Sequence, residues 1–518
     1  MKSSDPIALS TNYRLSLVLL SLFGTVFVLL STIRYGAGLS PDSVTYIGAA
    51  RNMIAGVGII SYNGAPLVAQ APLYPALLAL VGKIIGADPL LFAHIVNALL
   101  FGLIVYLGGL LTFKYLSSSP FTALMGTLAI VFSIPLFHVS GWAWSEPLFI
   151  SFVLLSLIFA HSYLEKDDVT SLMLFSSSVA LSSLTRYIGV TLIFWGALII
   201  LIFQRDSPKN RIAHLALFTL ISALPIGLWL IRNYAISSTL FGPRASSTFT
   251  FFQNLAFVFN GLLYWYIPRR IAEHRIIMAV VGGGVSLYIG LSLRGSWQGM
   301  KVRLRQINPV ILFALIYTTF LVITSTTTAY DQINNRLLSP IYVPLTLLLL
   351  ISAQALVDPY QRRFSKKIVN TILLIGITVW LVYPIRSTIL NAVNLISNGQ
   401  GYSGRAWTES ETVQYLLQHR TSESECTFYT NGPDAAYLLA DLATKRSPNS
   451  RTSTNSPEVV NDIDNLRGVW PDQSNACLIW FDKIGRKYLF TIDELRAIAN
   501  IDLIALLEDG AIYSIARE

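Results

Sequence analysis

Charge is what this chain has least of. Only 13% of its 518 residues are Asp, Glu, Lys or Arg, where ordinary soluble domains carry about a quarter, and 53% are hydrophobic, so a soluble globular protein is excluded. Cysteine is nearly absent too. Cys426 and Cys477 are the only two, too few for a cysteine-rich zinc or iron–sulfur framework. There is no GxxxxGK(S/T) phosphate loop and no HExxH, so ATP hydrolysis and a recognisable zinc site lack support. No repeat of some 20 to 50 residues appears, which argues against a solenoid. Nor do the two halves mirror each other as in an inverted-repeat transporter.

Long apolar runs are what the chain has instead. A helix needs roughly 17 to 25 mostly apolar residues to cross about 30 Å of hydrocarbon. Eleven runs qualify: 15–33, 89–112, 121–138, 147–164, 170–185, 188–203, 212–231, 275–292, 308–326, 338–357 and 368–385. The first is longer than the apolar core of a signal peptide and reads as an uncleaved helix. The fold class is therefore mainly α, a polytopic membrane helical protein. Its 37 basic residues outnumber 28 acidic ones, and the excess sits in short loops, where it signals orientation and not nucleic-acid binding. With the N-terminus cytoplasmic, eleven spans put the basic loops Gln204–Arg211, Arg294–Gln306 and Asp358–Lys367 inside. The same count puts a first outer loop, 34–88, the turn His138–Glu146 and everything after Arg386 outside. The segment 248–267 is apolar enough to span, but would then carry the basic 294–306 loop outside. It is expected to be an interfacial helix on the outer face.

From about residue 386 the composition turns polar, which divides the chain into a transmembrane domain, 1–385, and a small extracytoplasmic α/β domain, 386–518. Here GYSGRAWTESETVQYLLQHR predicts one capped helix, ECTFYTN and ACLIWFD predict buried strands, and DLIALLEDGAIYSIAR predicts a hairpin turning at Asp509-Gly510. The stretch 444–458 reads as a loop. The two cysteines form one bridge if this region meets an oxidising compartment, a point their spacing leaves open.

Charges at helix ends or within membrane segments are costly unless partnered, and each is a functional candidate. The outer side collects Asp42, Glu146, Arg186, Arg232, Arg244, Asp331 and Arg336. Asp42, in Ser40-Pro41-Asp42-Ser43, is either the cap of a helix or a general base acting on a hydroxyl. Glu146 opens a helix ahead of Pro147, where a carboxylate also suits the helix dipole. Guanidinium groups hold phosphate oxygens in a fork and stay charged when partly buried. Arg186, Arg336, Arg232 and Arg244 are thus candidates for an anionic, phosphate-bearing ligand with a lipid tail. Lipid head-group contact alone is the plainer alternative. Tyr46, Trp144, His138 and Tyr187 stand beside these charges as pocket candidates. Trp142 and Trp144 serve equally as interface anchors or as a sugar platform, and His138 reads as structural.

The ordered segments PDSVTYIGAARNMIAGVGI, APLYPALLAL, SEPLFISFVLL, LTRYIG, LWLIRNY and NRLLSPIYVPL resemble the membrane-embedded glycosyltransferases of the GT-C fold class. The likeness is to the bacterial and archaeal type related to protein O-mannosyltransferases and the lipid A aminoarabinose transferase, over residues 12–385. It implies transfer of a sugar from a polyprenyl-phosphate carrier to a hydroxyl acceptor on the outer face of the cell membrane, with inversion. Asp42 would match the first-loop catalytic base, Glu146 a second acidic position, and Arg186 and Arg336 basic positions near the lipid phosphate. Ser43 stands where many members have a second acidic residue, a departure from any carboxylate pair there. No cofactor is called for, and a divalent metal stays open. The acceptor is unassigned among protein, lipid and glycan. The rival readings are a lipid or glycolipid transporter, or flippase, without transferase chemistry, and a membrane scaffold displaying the C-terminal domain.

Overall fold

The computed structural model describes residues 11–117, 119–204, 207–274, 297–328, 331–357, 365–419, 426–451 and 462–517. The expected span 275–292 and positions 452–458 of the expected loop lie outside the described residues. Among the described residues, seven helices are long and apolar enough to cross a membrane: Thr11–Thr32, Pro89–Tyr115, Glu146–Lys166, Pro208–Ser237, Pro309–Thr327, Asn335–Gln354 and Ile368–Asn398. An eighth arises if Pro120–Val131 and Ile134–Ser140, bent by 44°, make one span. The sequence explains that bend. Pro135 has no N–H to continue the first helix, and Ser133 restarts the second by accepting the Leu136 N–H at 3.2 Å.

Two expected spans, 170–185 and 188–203, are shorter apolar helices, Val169–Thr185 and Tyr187–Phe203. They part at Arg186, whose backbone is extended (φ −149°, ψ 136°). The last helix, expected to stop at 385, continues as Lys366–Asn398. Arg386 does not end it, because a charge on an exposed helix face costs little once the helix leaves hydrocarbon.

The described residues form two compact units. One gathers those of Met1–Ser31, His94–Arg232 and Ser247–Asn394; the other gathers those of Thr32–Ala93, Asn233–Ser246 and Leu395–Glu518. The first unit holds most of the apolar helices and the 16-residue helix Phe251–Tyr266, which Thr250 and Gln253 start with a reciprocal capping box.

In the second unit, the segment after the first span folds into two helices, Pro41–Ile54 and Leu73–Ile85, the latter ended by Gly86 at φ 67°. A five-stranded sheet is built from β1 (Thr427–Thr430), β2 (Lys445–Arg446), β3 (Ala476–Phe481), β4 (Ala499–Leu507) and β5 (Gly510–Arg517). Their order is β2-β1-β3-β5-β4. β1 runs parallel to both neighbours, whereas β5 is antiparallel to β3 and β4. The strands expected from ECTFYTN and ACLIWFD are β1 and β3, and β3 is almost wholly buried. The expected hairpin is β4–β5, but it turns at Glu508-Asp509, since Gly510 already pairs with Leu507. The single helix expected over GYSGRAWTESETVQYLLQHR is two, Arg405–Thr408 and Glu411–Gln418. Ser410 interrupts it by capping the second helix through the Val413 N–H at 3.3 Å. Part of the expected 444–458 loop is the edge strand β2.

The 34–88 segment and the residues after Leu395 are joined by hydrogen bonds. The Tyr402 N–H donates to the Leu39 carbonyl at 2.9 Å, and Ser403 Oγ to the Ala37 carbonyl at 2.8 Å. Arg51 forks onto Asp88 at 2.8 and 3.2 Å and reaches the Tyr437 hydroxyl at 3.3 Å. Burial works against its charge, but Asp88 and Tyr437 outweigh that and hold its pKa above the ordinary arginine value. Buried Asp434 accepts from Arg486 at 2.5 Å and from the Tyr402 hydroxyl at 2.7 Å. Burial of such a charge is tolerable only with partners of this kind.

Cys426 and Cys477 are joined in a disulfide across 51 residues of sequence, tying the start of β1 to β3. Replacing both with serine is expected to cost this domain about 2–4 kcal/mol, read as a shift of its denaturant midpoint. An unchanged midpoint would mean the bridge carries no stability.

Candidate functional site

In the first unit, a buried carboxylate meets two arginines. Glu146 is the first residue of the helix Glu146–Lys166 and only 1% exposed. Its Oε1 accepts from Nη1 of Arg186 and from Nε of Arg336, residues 40 and 190 positions away. Arg186 also donates to Ser145 Oγ at 3.2 Å. The other oxygen, Oε2, has no hydrogen-bond partner among the described residues. One carboxylate thus gathers two guanidinium groups, in a place where side chains are 1–18% exposed.

Local structure holds each member in place. Trp142 and Trp144 are stacked with ring centres 4.6 Å apart, and the Arg336 guanidinium lies 4.1 Å over Trp144. Asn97, fully buried in the helix Pro89–Tyr115, donates to the carbonyls of Trp142 and, at 3.3 Å, Trp144. His138 stands edge-on to both rings, at 6.3 and 5.7 Å. Arg186 sits at the break between two helices. There, a Cβ on Gly189 would come within 2.6 Å of the Ser183 backbone, so only glycine lets the turn close. Arg336 lies in the short helix Asn335–Leu338, capped by Asn334. Trp265 Nε1 donates to Asn335 Oδ1 and the Tyr317 hydroxyl to the Leu337 carbonyl, both at 2.8 Å.

Arg232 and Tyr187 lie in the same unit. Both engage Trp229: Arg232 lies 4.5 Å over its ring, and its indole N–H donates to the Tyr187 hydroxyl at 3.0 Å.

The second unit contains Asp42, Tyr46 and Arg244. Asp42 is in the first turn of Pro41–Ile54 but is not its cap. Ser40 caps that helix, in a reciprocal box with Ser43. Asp42 is half-buried, and its Oδ1 accepts from Gln70 Nε2 at 3.2 Å. Beside Gln70, the Ala69 carbonyl accepts from Arg244 at 3.1 Å. Tyr46, one turn on, is 4% exposed and packs edge-on to Tyr74 at 5.2 Å, within the core between the two helices.

Sequence reasoning missed Asn97, Ser145, Gln70 and Trp265. Asn97 had a signal, as a lone amide inside an apolar run. The others carried none, since their partners are far away in sequence.

No protein-family model matches this sequence, and no curated protein matches it. Solved structures do match. ArnT from Cupriavidus metallidurans is similar in the apo state over 96% of this chain and 97% of its own, at 14% identity and a TM-score of 0.61. The same enzyme bound to undecaprenyl phosphate is similar over 98% of each chain, at 13% identity and a TM-score of 0.62. The archaeal oligosaccharyltransferase AglB from Archaeoglobus fulgidus, in complex with an inhibitory peptide and a dolichol-phosphate, is similar over 84% of this chain and 64% of its own, at 11% identity and a TM-score of 0.52. These neighbours are GT-C membrane glycosyltransferases, and the fold of this chain is the GT-C fold.

Proposed function

We propose that this protein is an integral membrane glycosyltransferase that moves a sugar from a polyprenyl-phosphate carrier to a hydroxyl acceptor on the extracytoplasmic face. The observation that carries the reading is the buried Glu146–Arg186–Arg336 cluster, in which one carboxylate gathers two guanidinium groups, on a fold shared with a protein solved with undecaprenyl phosphate. The cytoplasmic N-terminus rests on the basic loops. An outer C-terminal domain is supported by its disulfide, which belongs to oxidising compartments.

The chemistry follows from charge. A sugar on a polyprenyl phosphate is a phosphodiester bearing one negative charge; when the bond from its anomeric carbon to the phosphate oxygen breaks, the leaving phosphate gains a second. Arg186 and Arg336 stabilise that added charge, so the leaving group needs no proton. Asp42 takes the proton of the acceptor hydroxyl, whose oxygen bonds to the anomeric carbon from the opposite face and inverts it. Glu146 acts as a positioning residue that holds both guanidinium groups by one oxygen, leaving Oε2 to accept from a sugar hydroxyl. Arg232 is a secondary contact for the donor, and the stacked tryptophans supply an aromatic face beside the arginines.

The test uses purified protein in lipid vesicles with polyprenyl-phosphate-linked labelled sugars. Transfer to a hydroxyl acceptor supports the reading; passage of the intact lipid-linked sugar across the bilayer without transfer would favour a transporter. Arg336→Lys keeps the charge but loses the fork. It is expected to weaken undecaprenyl phosphate binding about 10-fold or more, with undecaprenol binding unchanged. Equal affinity for the phosphate in both proteins would remove Arg336 from the donor site.

A further inference from the structure

A cleft of about 470 Å³ opens in the second unit beside the edge strand β2. Its walls include Tyr62 from the segment after the first span and Tyr429, Thr444, Arg446 and Trp470 from the C-terminal domain. Three buried polar atoms on these walls have no hydrogen-bond partner among the described residues: Thr444 Oγ1, Arg446 Nε and Trp470 Nε1. Buried polar groups in folded proteins are nearly always satisfied, so three orphans on one cleft require a reason. Trp470 is 6% exposed.

Lys445 is paired with Asp472, which also accepts from the Tyr429 hydroxyl. That pairing cancels one positive charge, and among the described residues Arg446 is the cation of the cleft lining with no ion pair. Of the three orphans, the arginine and indole N–H groups can only donate, and threonine can do either. A ligand must therefore bring oxygen acceptors, and the excess charge asks that they be anionic. The aromatic walls ask for something with an apolar face. Tyr429 and Trp470 meet edge to face at 5.4 Å, and Tyr62 is braced by Tyr437 at 5.1 Å. Gly48, on the same helix as Asp42, lets the Tyr62 backbone come close: an added Cβ there would be 2.8 Å from its Cα. The wall is thus built in advance, and the volume falls within the ~300–1,000 Å³ of small-ligand pockets.

We propose that this cleft binds a saccharide carrying a carboxylate or phosphate group, with the anion on the Arg446 and Trp470 N–H groups and the sugar ring against the tyrosines. Thr444 bonds a neighbouring ring oxygen or hydroxyl. The site is separate from the donor reading, because its occupancy is measured with no lipid-linked sugar present.

The experiment is calorimetric titration of the full-length protein in nanodiscs with four probes: a glucuronic acid disaccharide, mannose 6-phosphate, maltose and inorganic phosphate. One anionic sugar is expected to bind at least about 10-fold more tightly than both maltose and inorganic phosphate, and the stronger of the two names the anion. Trp470→Phe keeps the ring and removes only the N–H; it should weaken that binding roughly 10-fold, and Arg446→Leu should abolish it. Thr444→Val, which alters one methyl-sized group, should also weaken binding several-fold and serves if either larger change prevents folding. Maltose binding as well as the anionic sugars would overturn the anion assignment. Inorganic phosphate binding as tightly as mannose 6-phosphate would overturn the sugar wall. No binding by any probe, or full binding by all three variants, would overturn the site.

Discussion

Replacing Asp42 with asparagine is expected to lower the transfer rate about 10²- to 10⁴-fold, the range for loss of a positioned proton acceptor. The fold should survive, since Ser40 and Ser43 cap the helix and Asp42 takes no part in that box. An asparagine oxygen can still accept from Gln70. The carboxylate's favourable interaction with the helix dipole, about 0.3–1 kcal/mol, is lost as well. Affinity for the lipid-linked donor should stay within about twofold, because the removed charge acts on the acceptor's proton and not on the phosphate. Single-turnover transfer and donor titration on the same preparation separate the two quantities. Undiminished turnover with intact donor binding would end the assignment of Asp42 as base.

Glu146→Gln should do damage of another kind. The wild-type carboxylate lies between two guanidinium groups at 1% exposure. Without it, two like charges face each other with little water to screen them. Breaking a buried ion pair on one side costs about 3–5 kcal/mol, so the thermal midpoint of the purified protein should fall clearly. A second change that removes a positive charge, Arg186→Met, should recover part of the loss, with a coupling of about 0.5–3 kcal/mol. A positioning residue and a proton-transfer residue differ in the pH–rate profile. If Glu146 only holds the arginines, the variant loses transfer rate while the limbs of its profile stay put. A displaced limb would make it a proton-transfer group. A thermal midpoint equal to wild type would mean the cluster is not held together by this carboxylate.

How much of this was legible in advance depended on the range of the interaction. Apolar runs announced helices because spanning hydrocarbon constrains length and composition locally. The strands β1 and β3 and the hairpin β4–β5 were visible because burial and turn chemistry repeat within a few residues. Errors gathered at element ends. Asp509-Gly510 was one residue off as the turn, and Ser410 was read as part of a helix that it interrupts. Asp42 was a candidate cap because it stands in Ser-Pro-Asp-Ser, where any of three side chains could cap; geometry assigned the task to Ser40. Glu146, Arg186 and Arg336 each stood out as a charge at an apolar boundary, yet nothing local said that they meet.

Composition and patterning were enough to identify a polytopic helical membrane protein with a small α/β domain near its C-terminus, because hydropathy and strand alternation act over short stretches and hardly depend on partners. The folded chain was needed to show that one carboxylate organises two arginines from 40 and 190 residues away. It also decided that Arg51 after the first span reaches Tyr437 in the C-terminal domain, and that Tyr62 shares a cleft with Trp470. Such pairings are set by how packed helices and strands bring distant segments together. A buried charge or orphaned N–H shows what it needs in the sequence, and the fold alone supplies what answers it.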